Sequence, residues 1–510
     1  MKLVYDVGDR PAWGKLIVFS FQQLLAIIAA TIVVPVIVNS ATGLQVLDSA
    51  AALVGAGFGT ITYLLFTKFK SPVFLGSSFA FISPLIGASA FGYFGVLIGA
   101  VFAGAVYCLI ALAVKFAGTK WVNKLMPPVV IGPTVALIGL SLAGSAMGDI
   151  TKASGSGMGY NLVGLICGLA TFFTIVFCSV KGNKTMKLIP FLIGIGVGYV
   201  LASTFSIIGY AANVDYLKIV NYDALINNFT NVSIRSFLDY PKFTFLATSG
   251  NGIQPLTGTA VANIALLYIP VSFVVFAEHI ADHKNISSII EKDLLQDPGL
   301  HRTLLGDGVG SIIGAVFGGI PNTTYGESVG CVAITKNASI VSILGAAILA
   351  IVLAFISPVI ALINTIPSCV MGGVCLALYG FIAVSGLNML RGIDLGESKN
   401  LFVVCSILIA GIGGLSIKFG ADAEGNNAVI TISSIATALI IGILVNVIFN
   451  KTGAVKDSTP AVYAEVSKSV SEEKGIATER KEEVKEEVKE EVKEEVVEEE
   501  VSTTTIDQEE

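Results

Sequence analysis

Leu75-Gly76-Ser77-Ser78-Phe79-Ala80-Phe81-Ile82-Ser83-Pro84 and Pro321-Asn322-Thr323-Thr324-Tyr325-Gly326-Glu327 interrupt two apolar segments of the chain in the same way. Each sets two small hydroxyl residues before an aromatic, inside an otherwise apolar segment. Thr and aromatic side chains favour extended backbone over helix, and the Gly and Pro interruptions weaken a plain helix further. We therefore expect two short antiparallel strands that pair with each other. Two ordinary kinked helices are the alternative.

Working outward, both stretches lie in a membrane-like chain. Of 510 residues, 54% are hydrophobic and only 13% charged, and the mean hydropathy is +0.80, which excludes a set of soluble domains. Apolar segments fall at about 15–38, 49–67, 72–90, 93–117, 128–147, 160–180, 188–209, 260–281, 303–319, 321–337, 340–357, 366–386, 400–417 and 428–449. Most are long enough to cross roughly 30 Å of hydrocarbon as helices. The quoted stretches occupy the third and tenth segments, the same place in each half of seven. Because seven is odd, the halves run in opposite directions. The expected fold is an all-α polytopic membrane protein of about 14 segments in two inverted seven-span repeats. The repeats cover residues 15–209 and 260–452, joined by an extracellular loop, 210–259. Paired, interrupted segments in inverted repeats point to a binding site near the bilayer centre, faced by freed backbone N–H groups and half-helix N-termini. Extended backbone at that depth is tolerated only where protein or a cavity satisfies it.

Charge supports the count. Lys68, Lys70, Lys115, Lys120, Lys124, Lys181, Lys184, Lys187, Lys284, Lys292, Arg302, Lys336, Arg391 and Lys399 all fall on one predicted side. The opposite short connections, around 40–48, 91–92, 148–159 and 358–365, carry Lys152 alone. By the positive-inside rule both termini are cytoplasmic in a cell membrane, beginning with an N-terminal segment 1–14 that lacks the apolar core of a signal peptide. Residues 453–510 hold 8 basic and 19 acidic residues, a net of −11; the whole chain is −6, which leaves +5 for residues 1–452. This acidic tail repeats Lys-Glu-Glu-Val from Lys481 and reads as a solvated appendage, disordered or a charged helix. Gly55/Gly59, Gly95/Gly99, Gly194/Gly198 and Gly310/Gly314/Gly318 sit inside apolar runs and suit close helix packing. The seven cysteines also lie in apolar segments, contain no C-x-x-C pair, and read as small buried hydrophobes.

Ionisable groups deep in apolar spans are costly and are functional candidates. Glu278 ends an apolar run, and Glu327 follows the second quoted stretch at a predicted helix N-terminus, where the backbone dipole favours negative charge. A carboxyl there can carry a proton and accept ring N–H groups in turn. Asp282 lies one helical turn after Glu278, which suits a proton relay; the alternative is a surface pair with Lys284 or Arg302. His279 and His283 are also i and i+4, but without nearby cysteine they make a poor metal site. His301 reads as a cytoplasmic cap on the ninth span.

These residues resemble the nucleobase–ascorbate transporter family, also called nucleobase–cation symporter-2, and within it the bacterial uracil permeases. The carrying motifs are Gly8-Asp9-Arg10-Pro11, Ala29-Ala30-Thr31-Ile32-Val33-Val34-Pro35, Leu75 to Pro84, Ala277-Glu278-His279-Ile280, Lys292 to Arg302, and Pro321 to Glu327. Gly330, Thr335 and Lys336 continue the signature that Glu327 opens. The likeness covers about residues 5–450. It implies a core domain of spans 1–4 and 8–11, and a gate domain of spans 5–7 and 12–14. It implies that Glu278 and Glu327 bind substrate, with backbone N–H groups at Phe79 and Gly326, Tyr325 flanking the base and Tyr379 approaching from the gate. Proton coupling would involve Glu278, Asp282 and Glu327. Three departures stand out: Gln22-Gln23 replaces a Gln-His pair, Asp282 replaces a histidine, and Ser328 replaces an Asn. Glu327, where xanthine and urate transporters have Gln, favours uracil.

The expected function is proton-coupled uptake of uracil by alternating access, with sodium coupling left open and no cofactor. A xanthine or purine permease is the alternative within the family. An anion exchanger of the same architecture would want a basic site, and no Arg or Lys lies near Phe79 or Tyr325 in sequence. An enzyme would want a nucleophile–base set or a metal cluster, and neither is seen. Expected partners are uracil or a related nucleobase and the lipid bilayer, with a homodimer implied by the family likeness and no nucleic acid.

Overall fold

The two quoted stretches do form strands. In the computed structural model, which describes residues 3–151, 160–241, 253–419 and 430–450, β1 (Leu75–Ser77) pairs antiparallel with β2 (Asn322–Thr324). Leu75 faces Thr324, Gly76 faces Thr323 and Ser77 faces Asn322, all buried. Local chemistry holds the first strand extended: Thr60 Oγ1 accepts from Leu75 N (2.9 Å) and donates to Leu75 O (3.3 Å). Gly76 is needed because a Cβ there would lie 2.3 Å from the Tyr325 ring. A short helix follows each strand.

The first half runs α1 (Trp13–Thr42), α2 (Ser49–Phe66), β1, a 3-10 turn at Phe79–Phe81 leading into α3 (Ile82–Ser89), and α4 (Gly92–Ala117). Then come α5 (Lys120–Leu125), α6 (Pro128–Ile150), α7 (Leu162–Lys181), α8 (Lys184–Leu188) and α9 (Pro190–Ala212). The second half holds α10 (Asp223–Thr230), α11 (Gly258–Ile290), α12 (Leu300–Val316), β2, α13 (Gly326–Thr335) and α14 (Ile340–Ala354). It continues with α15 (Ser357–Ile363), α16 (Ser368–Asn388), α17 (Ser398–Ile412), β3 (Ile417–Phe419), β4 (Ile430–Ile432) and α18 (Ser434–Asn450). Eight of these helices are long and apolar enough to cross a membrane, and four shorter apolar helices accompany them. The chain is a multi-pass membrane protein.

Helix starts follow their caps. Asp48 accepts from Ala50 N and Ala51 N ahead of α2, Asn161 from Gly164 N ahead of α7, and Thr257 from Ala260 N ahead of α11. Pro128 and Pro190 sit in the first turns of α6 and α9, where a missing N–H costs nothing.

Helices α1, α2, α4 and α11–α14 pack mainly on one another, and α6, α7, α9 and α16–α18 on one another. The α2–α12 contact is glycine on glycine. A Cβ on Gly55 would meet Gly314 O at 2.5 Å, and one on Gly59 would meet Gly310 O at 2.9 Å. Residues 1–390 and 396–451 form one unit; the acidic tail, 453–510, lies outside the described residues.

Several expectations change. The segment expected at 400–417 ends as a helix at Ile412, because Gly413 and Gly414 break it, and β3 then pairs with β4. That adds a second strand pair to the two strands expected. The helix expected over 260–281 runs on to Ile290, stopping where Glu291 turns left-handed at φ 55°. His301 is no cap: Gly299 occupies that position, without a side-chain bond. Cys405 is exposed and Cys108 half-buried, while the other five cysteines are buried.

Candidate functional site

Antiparallel pairing sends the two half-helices away from opposite ends of one three-residue ladder, so their N-termini start within roughly 10 Å of each other. Neither start is capped by a side chain: Ser78 and Tyr325 hold the cap positions without bonding the following amides. The leading N–H groups, at Phe79 and Gly326 among others, therefore have no partner inside their own helices.

Helix α11 brings carboxyls to this ladder. Ser78 Oγ donates to Glu278 Oε2 at 3.3 Å, which ties Glu278 to the start of the 3-10 turn. One turn on, Thr324 Oγ1 donates to Asp282 Oδ2 at 2.9 Å. Asp282 is 6% exposed and bound to a strand, not to Lys284 or Arg302 at a water edge. Glu327 lies in the first turn of α13, and its Oε1 is buried with no hydrogen-bond partner among the described residues. Glu278, Asp282 and Glu327 repel one another as like charges. A Cβ on Gly326 would meet only Asp282 Oδ1, at 3.7 Å, so the backbone there has a methyl-sized space beside that carboxyl.

Two rings bound the same place. Phe79 and Tyr379, the latter from α16, meet edge to face with centroids 5.6 Å apart. Tyr325 is turned toward β1, and its hydroxyl donates to Ser77 O at 2.8 Å. All the residues expected at the site thus gather around the ladder: Phe79, Glu278, Asp282, Tyr325, Gly326, Glu327 and Tyr379. Chemically, they offer carboxylate acceptors, backbone donors and flat aromatic walls. That set suits a flat heterocycle bearing both N–H and C=O groups.

Sequence reasoning missed two partnerships. Gln23 Nε2 donates to Ser328 Oγ at 2.7 Å, and Phe74 N also donates to that oxygen at 3.0 Å. Two departures from the family pattern, Gln23 and Ser328, therefore touch each other. Asp307 was overlooked although it sits within an apolar segment, between Gly306 and Gly308; the rule that flagged Glu278 covers it too. Its Oδ2 lies 2.7 Å from His279 Nδ1. Among the described residues no group of three or more His, Cys, Asp or Glu side chains gathers to hold a metal.

A polytopic bundle whose broken half-helices meet at a buried ladder is the build of a membrane permease, a transporter and not an enzyme. The family model Xan_ur_permease, described as Permease family, matches residues 14–419, and the chain belongs to that family. It is 38% identical over 450 residues to the uracil permease of Bacillus caldolyticus, covering 88% of this chain and 95% of that one. It is 36% identical over 438 residues to the uracil permease of Escherichia coli (strain K12), covering 85% and 93%. A solved structure of the murine Slc26a9 anion transporter, inward-facing, shares the fold at TM-score 0.54 and 10% identity, covering 86% of this chain and 69% of that one.

Proposed function

We propose that this permease takes up uracil together with protons by alternating access. The observation that carries the reading is the buried Glu327 Oε1, without a donor among the described residues, beside a second carboxyl, Glu278, and two uncapped half-helix starts. A uracil ring supplies the missing partners: its N–H groups meet the carboxylates, and its carbonyls meet the backbone amides. The uracil permease relatives support the same substrate. Three carboxyls gathered in one buried site suit the uptake of a cation together with the substrate, which we read as a proton.

The two packing groups correspond to a core and a gate, within fourteen segments arranged as inverted repeats with both termini cytoplasmic. Phe79 belongs to the core and Tyr379 to the gate, so their contact bridges the parts that would move against each other. A homodimer in the cell membrane completes the picture.

Calorimetric titration of the purified chain with uracil, repeated in the presence of excess xanthine, tests the substrate. Saturable uracil binding unaffected by xanthine is expected. Displacement by xanthine would shift the reading to a purine permease.

A further inference from the structure

Each residue of the second strand region is tied to a different element. Asn322 Nδ2 donates to Gly55 O on α2 (3.0 Å), Thr324 donates to Asp282 on α11, and Tyr325 donates to Ser77 at the end of β1. Thr323 leads to a buried pair of ionisable groups that the proposed binding site does not use. Its Oγ1 donates to Asp307 Oδ2 at 3.2 Å, and that oxygen also meets His279 Nδ1. His279, Asp307, Thr303 and Thr323 are all 0–1% exposed.

His279 Nδ1 lies 2.7 Å from Asp307 Oδ2, and His279 Nε2 lies 3.0 Å from Thr303 Oγ1, whose hydroxyl also reaches Leu300 O at 3.0 Å. Both ring nitrogens are thus engaged by residues of α12, which fixes the ring and leaves Asp307 Oδ2 placed to accept from Thr323.

We propose that His279 and Asp307 are positioning residues: through Thr323 they fix β2, and thereby the place at which Gly326 and Glu327 meet the substrate. The pair also spans α11 and α12, with His279 adjacent in sequence to Glu278. The positional effect on substrate rests on the uracil reading; the anchoring of the strand does not.

The test uses the full chain in detergent, with Thr323→Val as the near-isosteric variant that removes the bond, and Thr323→Ser as its rescue. Amide hydrogen exchange of the 320–327 segment is read first, then uracil affinity by calorimetry. Thr323→Val is expected to speed exchange in that segment at least about fivefold and to weaken uracil binding by about tenfold, roughly one hydrogen bond to a charged group. Thr323→Ser should restore both. Asp307→Asn, if it folds, should match Thr323→Val in exchange. Unchanged exchange in a folded Thr323→Val variant would overturn the anchor. Faster exchange with unaltered uracil affinity would overturn the positioning role. Absence of uracil binding by the unmodified chain would instead overturn the substrate reading, and exchange would still decide the anchor.

Discussion

Glu278 and Glu327 differ in what already binds them: Ser78 holds one, while Glu327 Oε1 has no donor among the described residues. Under the uracil reading, the unpartnered oxygen would make Glu327 the stronger contributor to affinity. Glu327→Gln replaces an acceptor by a donor and should weaken uracil binding roughly tenfold to a hundredfold, the worth of a charged hydrogen bond. Size-exclusion profile and thermal midpoint should be unchanged; retained affinity would remove Glu327 from the site. Asp282 stands where the family pattern has histidine, yet it is buried and held by Thr324. If it relays protons, Asp282→Asn should flatten the pH dependence of uptake, whereas an unaltered profile would make it structural. These carboxyls were legible in sequence because charge inside apolar runs is conspicuous. The His279–Asp307 pair was not, since His279 and Asp307 lie 28 residues apart and on different helices. Nor could spacing reveal that Gln23 and Ser328 meet.

Among the elements, the strand pair could be read from hydroxyl and aromatic residues interrupted by Gly and Pro. Its register could not, because that depends on side chains from α2, α11 and α12. The β3–β4 pair escaped notice because its residues continue an apolar run, and only Gly413 and Gly414 mark the break. Gly55, Gly59, Gly310 and Gly314, read as packing residues, do pack, and the contact is testable. Gly55→Ala would place a Cβ against the Gly314 backbone and should cost about 1–3 kcal/mol, seen as a lower thermal midpoint in detergent. Gly144→Ala, with open space around its added carbon, should change the midpoint little. At the N-terminus, Val4 N bonds Lys336 O and Ala338 N bonds Tyr5 O, which straps the chain start to the end of α13. Lys292 beside Asp6 holds that carboxyl below its ordinary pKa. A lowered carboxyl contributes stability that is present above its unfolded value and lost as pH falls through the folded one. The strap should therefore be insensitive to pH near neutrality. Both partners are about half exposed, so Asp6→Asn should shift stability by less than about 1 kcal/mol.

For the molecule as a whole, composition alone gave the membrane setting, and seven-segment spacing pointed to matched halves. The grouping of helices that packs α1–α4 with α11–α14 needed the structure, since it joins segments such as α2 and α12 that lie more than 200 residues apart. In the proposed mechanism those groups move while the ladder keeps its ligand, and the ring contact of Phe79 with Tyr379 joins a helix of one group to the turn that starts in the other. Entry of labelled uracil into proteoliposomes, with and without an inward proton gradient, reads substrate and driving force together. Accumulation that requires the gradient and collapses with a protonophore is the predicted result. Uracil entry that is indifferent to the gradient, or no entry at all, would contradict it.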